Sequence, residues 1–146
     1  MNIIIDGDSF PFKDEILKIA KEFQVQVIMV LSVSHYSKEI NKELEIILVD
    51  NYKEAADMKI FNITSPEDIV ITGDFGLAAL LLTKNTTVIS PRGMVFNTGD
   101  IDYLLAIRHK EAKLRRGGKK TRGPDKLSSE DRERFSSVIF KLLKKK

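Results

Sequence analysis

Residues 2–8 read Asn-Ile-Ile-Ile-Asp-Gly-Asp, and the reading of that run decides the fold. Three consecutive isoleucines do not alternate between core and water, so the strand they form is covered on both faces. The strand then ends in Asp6-Gly7-Asp8. One acid at a strand end is ordinary turn chemistry. Two at the mouth of a buried strand are either turn formers or the beginning of a metal site, and the rest of the chain has to choose.

Outward from this strand, helices and strands alternate. Pro11 suits a first helical turn, with Asp14 and Glu15 favourable near its positive end. Ile16, Leu17, Ile19, Ala20 and Phe23 then make the apolar stripe of a helix running to about Glu22. Strands are expected at residues 25–31, 45–49, 68–72 and 86–89, each short and β-branched. Between them, 32–44 reads as a polar loop carrying His35 and Tyr36, taken as surface residues. A helix is expected over 52–62, with Ala55, Ala56, Met58 and Phe61 available for burial, and another over 75–83.

Asn97 or Thr98 caps a long helix whose last turn is basic, with Gly117 as its C′ stop. Residues 117–127 are rich in Lys and Gly, and a mobile basic loop is expected there. Ser128 then caps a last helix to about residue 143, whose Phe135, Val138, Ile139 and Leu142 recur at helical spacing, so it should dock on the body. Alternation of this kind predicts one three-layer α-β-α domain over 1–146, with a parallel sheet of about five strands in the order 3-2-1-4-5.

The composition narrows the function. The chain has 146 residues, 42% hydrophobic and 31% charged, enough for one domain with a substantial core. With no cysteine and two histidines, a metal site would have to be built mainly from oxygen ligands. The opening lacks the charged and apolar regions of a signal peptide, and no apolar run reaches the roughly 20 residues needed to cross a bilayer. A cytoplasmic protein without a membrane span is expected. The net charge of +3 is uneven: residues 108–146 hold 15 Lys/Arg against 5 Asp/Glu, whereas 1–107 hold 9 against 16. An acidic body with a basic C-terminal part suggests a polyanionic partner.

In a sheet of order 3-2-1-4-5, strands one and four are neighbours about 4.8 Å apart, and ligands bind beyond the carboxyl ends where the order reverses. Asp6 and Asp74 would face that crevice, with Asp8 beside them. Asp57 shares a helix face with Glu54, and Asp50 ends strand three. Carboxylates held this close repel one another unless a cation sits among them, and Mg²⁺ or Mn²⁺ suits such donors. Asp6, Asp57 and Asp74 are therefore the candidate catalytic residues, and Asp6, Asp8, Asp57 and Asp74 the candidate metal ligands. Lys13, Arg92, Arg108, Arg115, Arg116, Lys119, Lys120 and Arg122 are the candidate contacts to a nucleic-acid backbone. Arg92 and Lys13 read equally well as a loop arginine and a helix-start lysine.

The segments IDGDSFPFKDEI, VDNYKEAAD, VITGDFGLAALLL, VISPRGMVF and DIDYLLAIRHKEAKLRRGG, followed by GP and the DRERF helix, resemble the bacterial YaiI/YqxD family. They come in the family's order and cover almost the whole chain. The family is similar in its acidic pattern to PIN-like domains, metal-dependent nucleases with a parallel sheet. The resemblance implies that fold and places Asp6, Asp8, Asp57 and Asp74 on the family's motif acids. The family's opening motif usually reads D-x-D-x-C-P, and Phe10 stands here at the Cys position.

Three functions follow as expectations. The first is a divalent-metal-dependent nuclease acting on RNA through the Asp cluster. The second is a non-catalytic RNA- or ribosome-associated binding module built on residues 108–126. The third is a haloacid-dehalogenase-like phosphatase, for which D-x-D is the opening signature. That signature wants Thr or Val at Phe10 and an acid at Ala78.

Overall fold

The computed structural model describes residues 1–8, 10, 13–38, 40, 43–52, 54–118 and 126–146. The elements are β1 (Asn2–Asp6), α1 (Lys13–Glu22), β2 (Gln26–Ser32), a 3₁₀ turn (Val33–His35), β3 (Glu45–Val49), α2 (Ala55–Ile63), β4 (Ile69–Ile71), α3 (Phe75–Leu82), β5 (Thr87–Ile89), α4 (Thr98–Arg116) and α5 (Ser129–Lys144). The strands form one parallel sheet in the order β3-β2-β1-β4-β5, as the sequence predicts.

Ile3, Ile4 and Ile5 are all fully buried, because successive side chains leave opposite faces of a covered strand. Ile3 and Ile5 join Phe10, Ile16, Met29, Ile71, Phe135 and Ile139 in a core beneath α1 and α5. Ile4 joins Val30, Ile60, Val70, Leu77, Leu81 and Ile101 in a second core, beneath α2, α3 and α4. Each such aliphatic side chain contributes roughly 1.5–3 kcal/mol by leaving water, so the two cores fix the layers. The same parity places Asp6 on the Ile4 face, toward α2 and α3.

Several boundaries move from the sequence expectation. β2 runs one residue later, ending at Ser32. β4 is only Ile69–Ile71, because Asp68 is a turn anchor: its carboxylate accepts the Asn2 N–H at 2.8 Å and the Ser65 N–H at 2.9 Å. α2 begins at Ala55 rather than at residue 52, and Tyr52 is 61% exposed. Ile60 fills the core there, while Met58 is 55% exposed. At the end of α4, Gly117 keeps a right-handed φ of −78°, and Gly118 takes the left-handed φ of +82°. The C′ stop is therefore one residue beyond the expected one.

Phe10 explains its own presence at the family's Cys position. It is buried and lies 5.0 Å, ring centroid to centroid, from Phe135 of α5. Ser128 caps α5 reciprocally with Asp131. Phe135, Ile139 and Leu143 carry that helix into the α1-side core, while Val138 and Leu142 are partly buried against it. Most of the expected basic loop, 119–125, lies outside the described residues.

Candidate metal and nucleic-acid site

The site grows from β1 and β4. Ile5 pairs with Ile71 in the parallel register, so the next residues, Asp6 and Thr72, leave the sheet side by side on one face. The Thr72 Oγ1–H donates to Asp6 Oδ2 at 2.9 Å. Thr72 Oγ1 in turn accepts the Asp74 N–H at 3.0 Å. Asp74 caps α3, its Oδ1 accepting the Leu77 N–H at 3.1 Å. One short network thus joins the two strand ends to the start of a helix.

Gly7 makes the tight exit from β1 possible. Its N–H donates to Val30 O at 2.9 Å. A Cβ on residue 7 would lie 2.6 Å from Met29 Cγ and 3.0 Å from Val30 O, closer than packed atoms tolerate. Asp8 is thereby aimed at the end of β2. It accepts the Ser32 N–H at 3.1 Å and the Ser32 Oγ–H at 2.7 Å, and His35 Nδ1 stands 3.0 Å from its Oδ1. The Asp8–His35 pairing is one the sequence reading missed. The order 3-2-1 carries the signal for it, because that order sets the loop after β2 beside the loop after β1.

Electrostatics separate Asp6 and Asp57 from ordinary turn formers. Burial raises the Asp6 pKa above its usual 3.8, the Asp8 and Asp74 carboxylates raise it further, and the Thr72 hydroxyl and an Asp8 backbone hydrogen bond offset only part of this. Asp57, half-buried on α2, is pushed up to about 6. Burial is again the main cause, followed by the charges of Asp74 and Asp6, while Arg108 pulls the other way. The Asp74 charge therefore bears on both Asp6 and Asp57, and the Asp6 charge on Asp57; the sheet order accounts for the nearness of Asp6 to Asp74. Asp50 is exposed at the end of β3.

The donor types suit a hard divalent cation: carboxylates, with a hydroxyl beside them and no thiolate. As the side chains are turned, no three Asp, Glu or His groups among the described residues are placed to hold one ion. Asp8 is engaged by Ser32 and His35, and Asp74 by Arg108, whose Nη1 lies 2.9 Å from Asp74 Oδ1.

The basic candidates are dispersed. Lys13 starts α1, half-buried. Arg92 follows β5 and pairs with Asp131 of α5 at 2.8 Å, with Arg134 on the other Asp131 oxygen at 3.1 Å. This gives Arg92 a part in holding α5. Hydrogen bonds from the Ser128 backbone, with these two arginines, keep the Asp131 carboxyl below its usual range. Arg108, Arg115 and Arg116 are exposed on α4, and Arg108 and Arg115, seven apart, share a face of that helix. Lys119, Lys120 and Arg122 lie outside the described residues. Ala78, where a haloacid-dehalogenase phosphatase would carry an acid, is fully buried in the α3 core. Among the described residues no helix is long and apolar enough to cross a membrane.

The fold and this edge define a class: a doubly wound parallel α/β protein with clustered aspartates where the strand order reverses. The chain belongs to the YaiI/YqxD family, described as uncharacterized BCR, whose sequence profile matches residues 4–145. A UPF0178 protein of Halalkalibacterium halodurans is 45% identical over 141 residues, covering 97% of this chain and 89% of that one. A UPF0178 protein of Bacillus velezensis is 43% identical over 141 residues, covering 97% and 84%. A UPF0178 protein of Listeria welshimeri is 42% identical over 144 residues, covering 99% and 96%. Among solved structures, Rae1 (YacP) from Bacillus subtilis aligns over 99% of both chains at 16% identity and a TM-score of 0.42, a likeness too slight to carry an argument.

Proposed function

We propose that this protein is a divalent-metal-dependent phosphodiesterase that cleaves RNA at the carboxyl edge of its sheet. One observation carries the reading. Asp6 is buried, has among the described residues one hydroxyl and one backbone group to lean on, and faces the charges of Asp8 and Asp74. A buried carboxylate in that company is costly unless a cation joins it, and perturbed acids of this kind cluster at functional sites.

Asp6, Asp57 and Asp74 would hold Mg²⁺ or Mn²⁺. A bound ion of this type activates a water and neutralises charge as a phosphodiester is displaced in line. Thr72 fixes the Asp6 carboxylate and, through the Asp74 N–H, the start of α3. Asp8 holds the His35 ring at the same edge. Arg108 and Arg115, with Arg116 at the end of α4, give the polyanion a positive surface to follow. The PIN-like resemblance and the sheet order support the same reading, as analogy of fold.

Asp6→Asn and Asp74→Asn test it. Asparagine keeps the shape of each side chain and is itself a good N-cap, so α3 should persist. Each variant should lose metal-dependent cleavage of a labelled RNA while keeping the parent's circular dichroism. Parental cleavage by both variants would refute the assignment.

A further inference from the structure

Among the described residues, Arg108 is the basic candidate paired with an acid of this corner. Its Nη1 meets Asp74 Oδ1 at 2.9 Å, the oxygen that also accepts the Leu77 N–H. α4 carries it over the first turn of α3 at Gly76. A Cβ on residue 76 would lie 3.2 Å from Asp74 Oδ1 and 3.3 Å from Arg108 Nη1. The guanidinium thus lies directly against the backbone of the first turn of α3. The pair is not sealed in: the Arg108 and Asp74 side chains are 45% and 30% exposed.

A carboxylate that neutralises an arginine is a poorer ligand for a second cation, and two cations sharing one such group repel. A phosphodiester offers the guanidinium paired oxygens that match its planar fork, with a full negative charge. We infer that Arg108 stands in for the divalent ion at Asp74 in the metal-free protein, and that a nucleic-acid phosphate draws it away, so that metal and polyanion bind cooperatively. This rests on the metal-dependent reading above. It goes beyond that reading in making Arg108 a positioning residue that couples two ligands, and the coupling must be reciprocal.

The experiment is calorimetric titration of Mn²⁺ into parent, Arg108→Gln and Arg108→Lys proteins, with and without a short 2′-O-methyl oligouridine that resists cleavage. In the parent, the oligonucleotide should tighten Mn²⁺ binding by roughly fivefold, the scale of one partly exposed ion pair. Arg108→Gln should bind Mn²⁺ roughly fivefold tighter without the oligonucleotide and gain nothing from it. Arg108→Lys, which keeps the charge without the fork, should fall between. If Arg108→Gln binds Mn²⁺ no more tightly than the parent, Arg108 is only a clasp between α3 and α4, and the inference fails while the metal site stands. If no protein binds Mn²⁺ under either condition, both this inference and the metal-dependent reading fail.

Discussion

Asp6, Asp68 and Asp131 are all buried, yet they sit in different company. Asp68 accepts two backbone N–H groups and the Ser65 hydroxyl, and it ties the start of β1 to the turn before β4. Asp131 accepts the Ser128 N–H and two arginines. Asp6 accepts the Thr72 hydroxyl and an Asp8 backbone hydrogen bond, but it is also set against the carboxylates of Asp8 and Asp74. The same substitution should therefore have opposite signs. Asp68→Asn turns an NH₂ toward existing donors and should cost about 1–3 kcal/mol. Asp6→Asn removes an opposed charge, keeps an acceptor for Thr72, and should raise the melting temperature of the metal-free protein. Thermal melts in EDTA read both.

The elevated Asp57 pKa gives a pH signature with a definite sign. Below about pH 4 the carboxyl is protonated in both folded and unfolded chains, so it contributes nothing. As pH rises toward its folded value of about 6, the unfolded chain ionises first, and stability falls. The loss is complete above that value. Asp57 is partly open to solvent, which screens the effect to about 1 kcal/mol. The difference in melting temperature between Asp57→Asn and parent should grow in the variant's favour between pH 4 and pH 6 in EDTA, then level off. Equal pH profiles for the two proteins would contradict the shift.

At the scale of elements, the site depends on how closely β1 and β2 lie where they end. Gly7 lets the chain turn against Met29 and the Val30 carbonyl, and that turn delivers Asp8 to Ser32 and His35. Gly7→Ala forces a methyl into occupied space and should cost about 1–3 kcal/mol, read as a lowered denaturant midpoint. A variant as stable as the parent would mean that Met29 gives way freely. The short α3 is held from the same edge. Its cap, Asp74, is also the partner of Arg108 from α4, so a change at this one carboxylate reaches two helices.

At the scale of the whole molecule, the order of the sheet was legible because NIIID reads as a strand buried on both faces and a helix follows every strand except β2, which a loop with one 3₁₀ turn joins to β3. That order alone brought Asp6 and Asp74 together, since it makes β1 and β4 neighbours at the reversal point. Asp57 was legible as an acid beside buried Ala56 on a helix that covers the same face. What stayed hidden were pairings between residues far apart in sequence whose partners no local pattern announces. Arg92 meets Asp131 across 39 positions, and Arg108 meets Asp74 across 34. His35 lay in a polar loop until the 3₁₀ turn after β2 set it against Asp8. Local reading likewise misplaced the start of α2, because Tyr52 has helical neighbours in sequence but lies mostly exposed in the turn before the helix, its carbonyl accepting the Ala55 N–H.

The central claim is that these aspartates form a place for a cation once Asp74 is free of Arg108. Crystals soaked in Mn²⁺ and measured at an energy where manganese scatters anomalously test it most directly. The account predicts anomalous density within coordination distance of Asp6 and Asp74, with Asp57 turned toward it and the Arg108 guanidinium displaced. Crystals that take up no manganese at this edge at saturating Mn²⁺, with the Arg108–Asp74 pair intact, would contradict it.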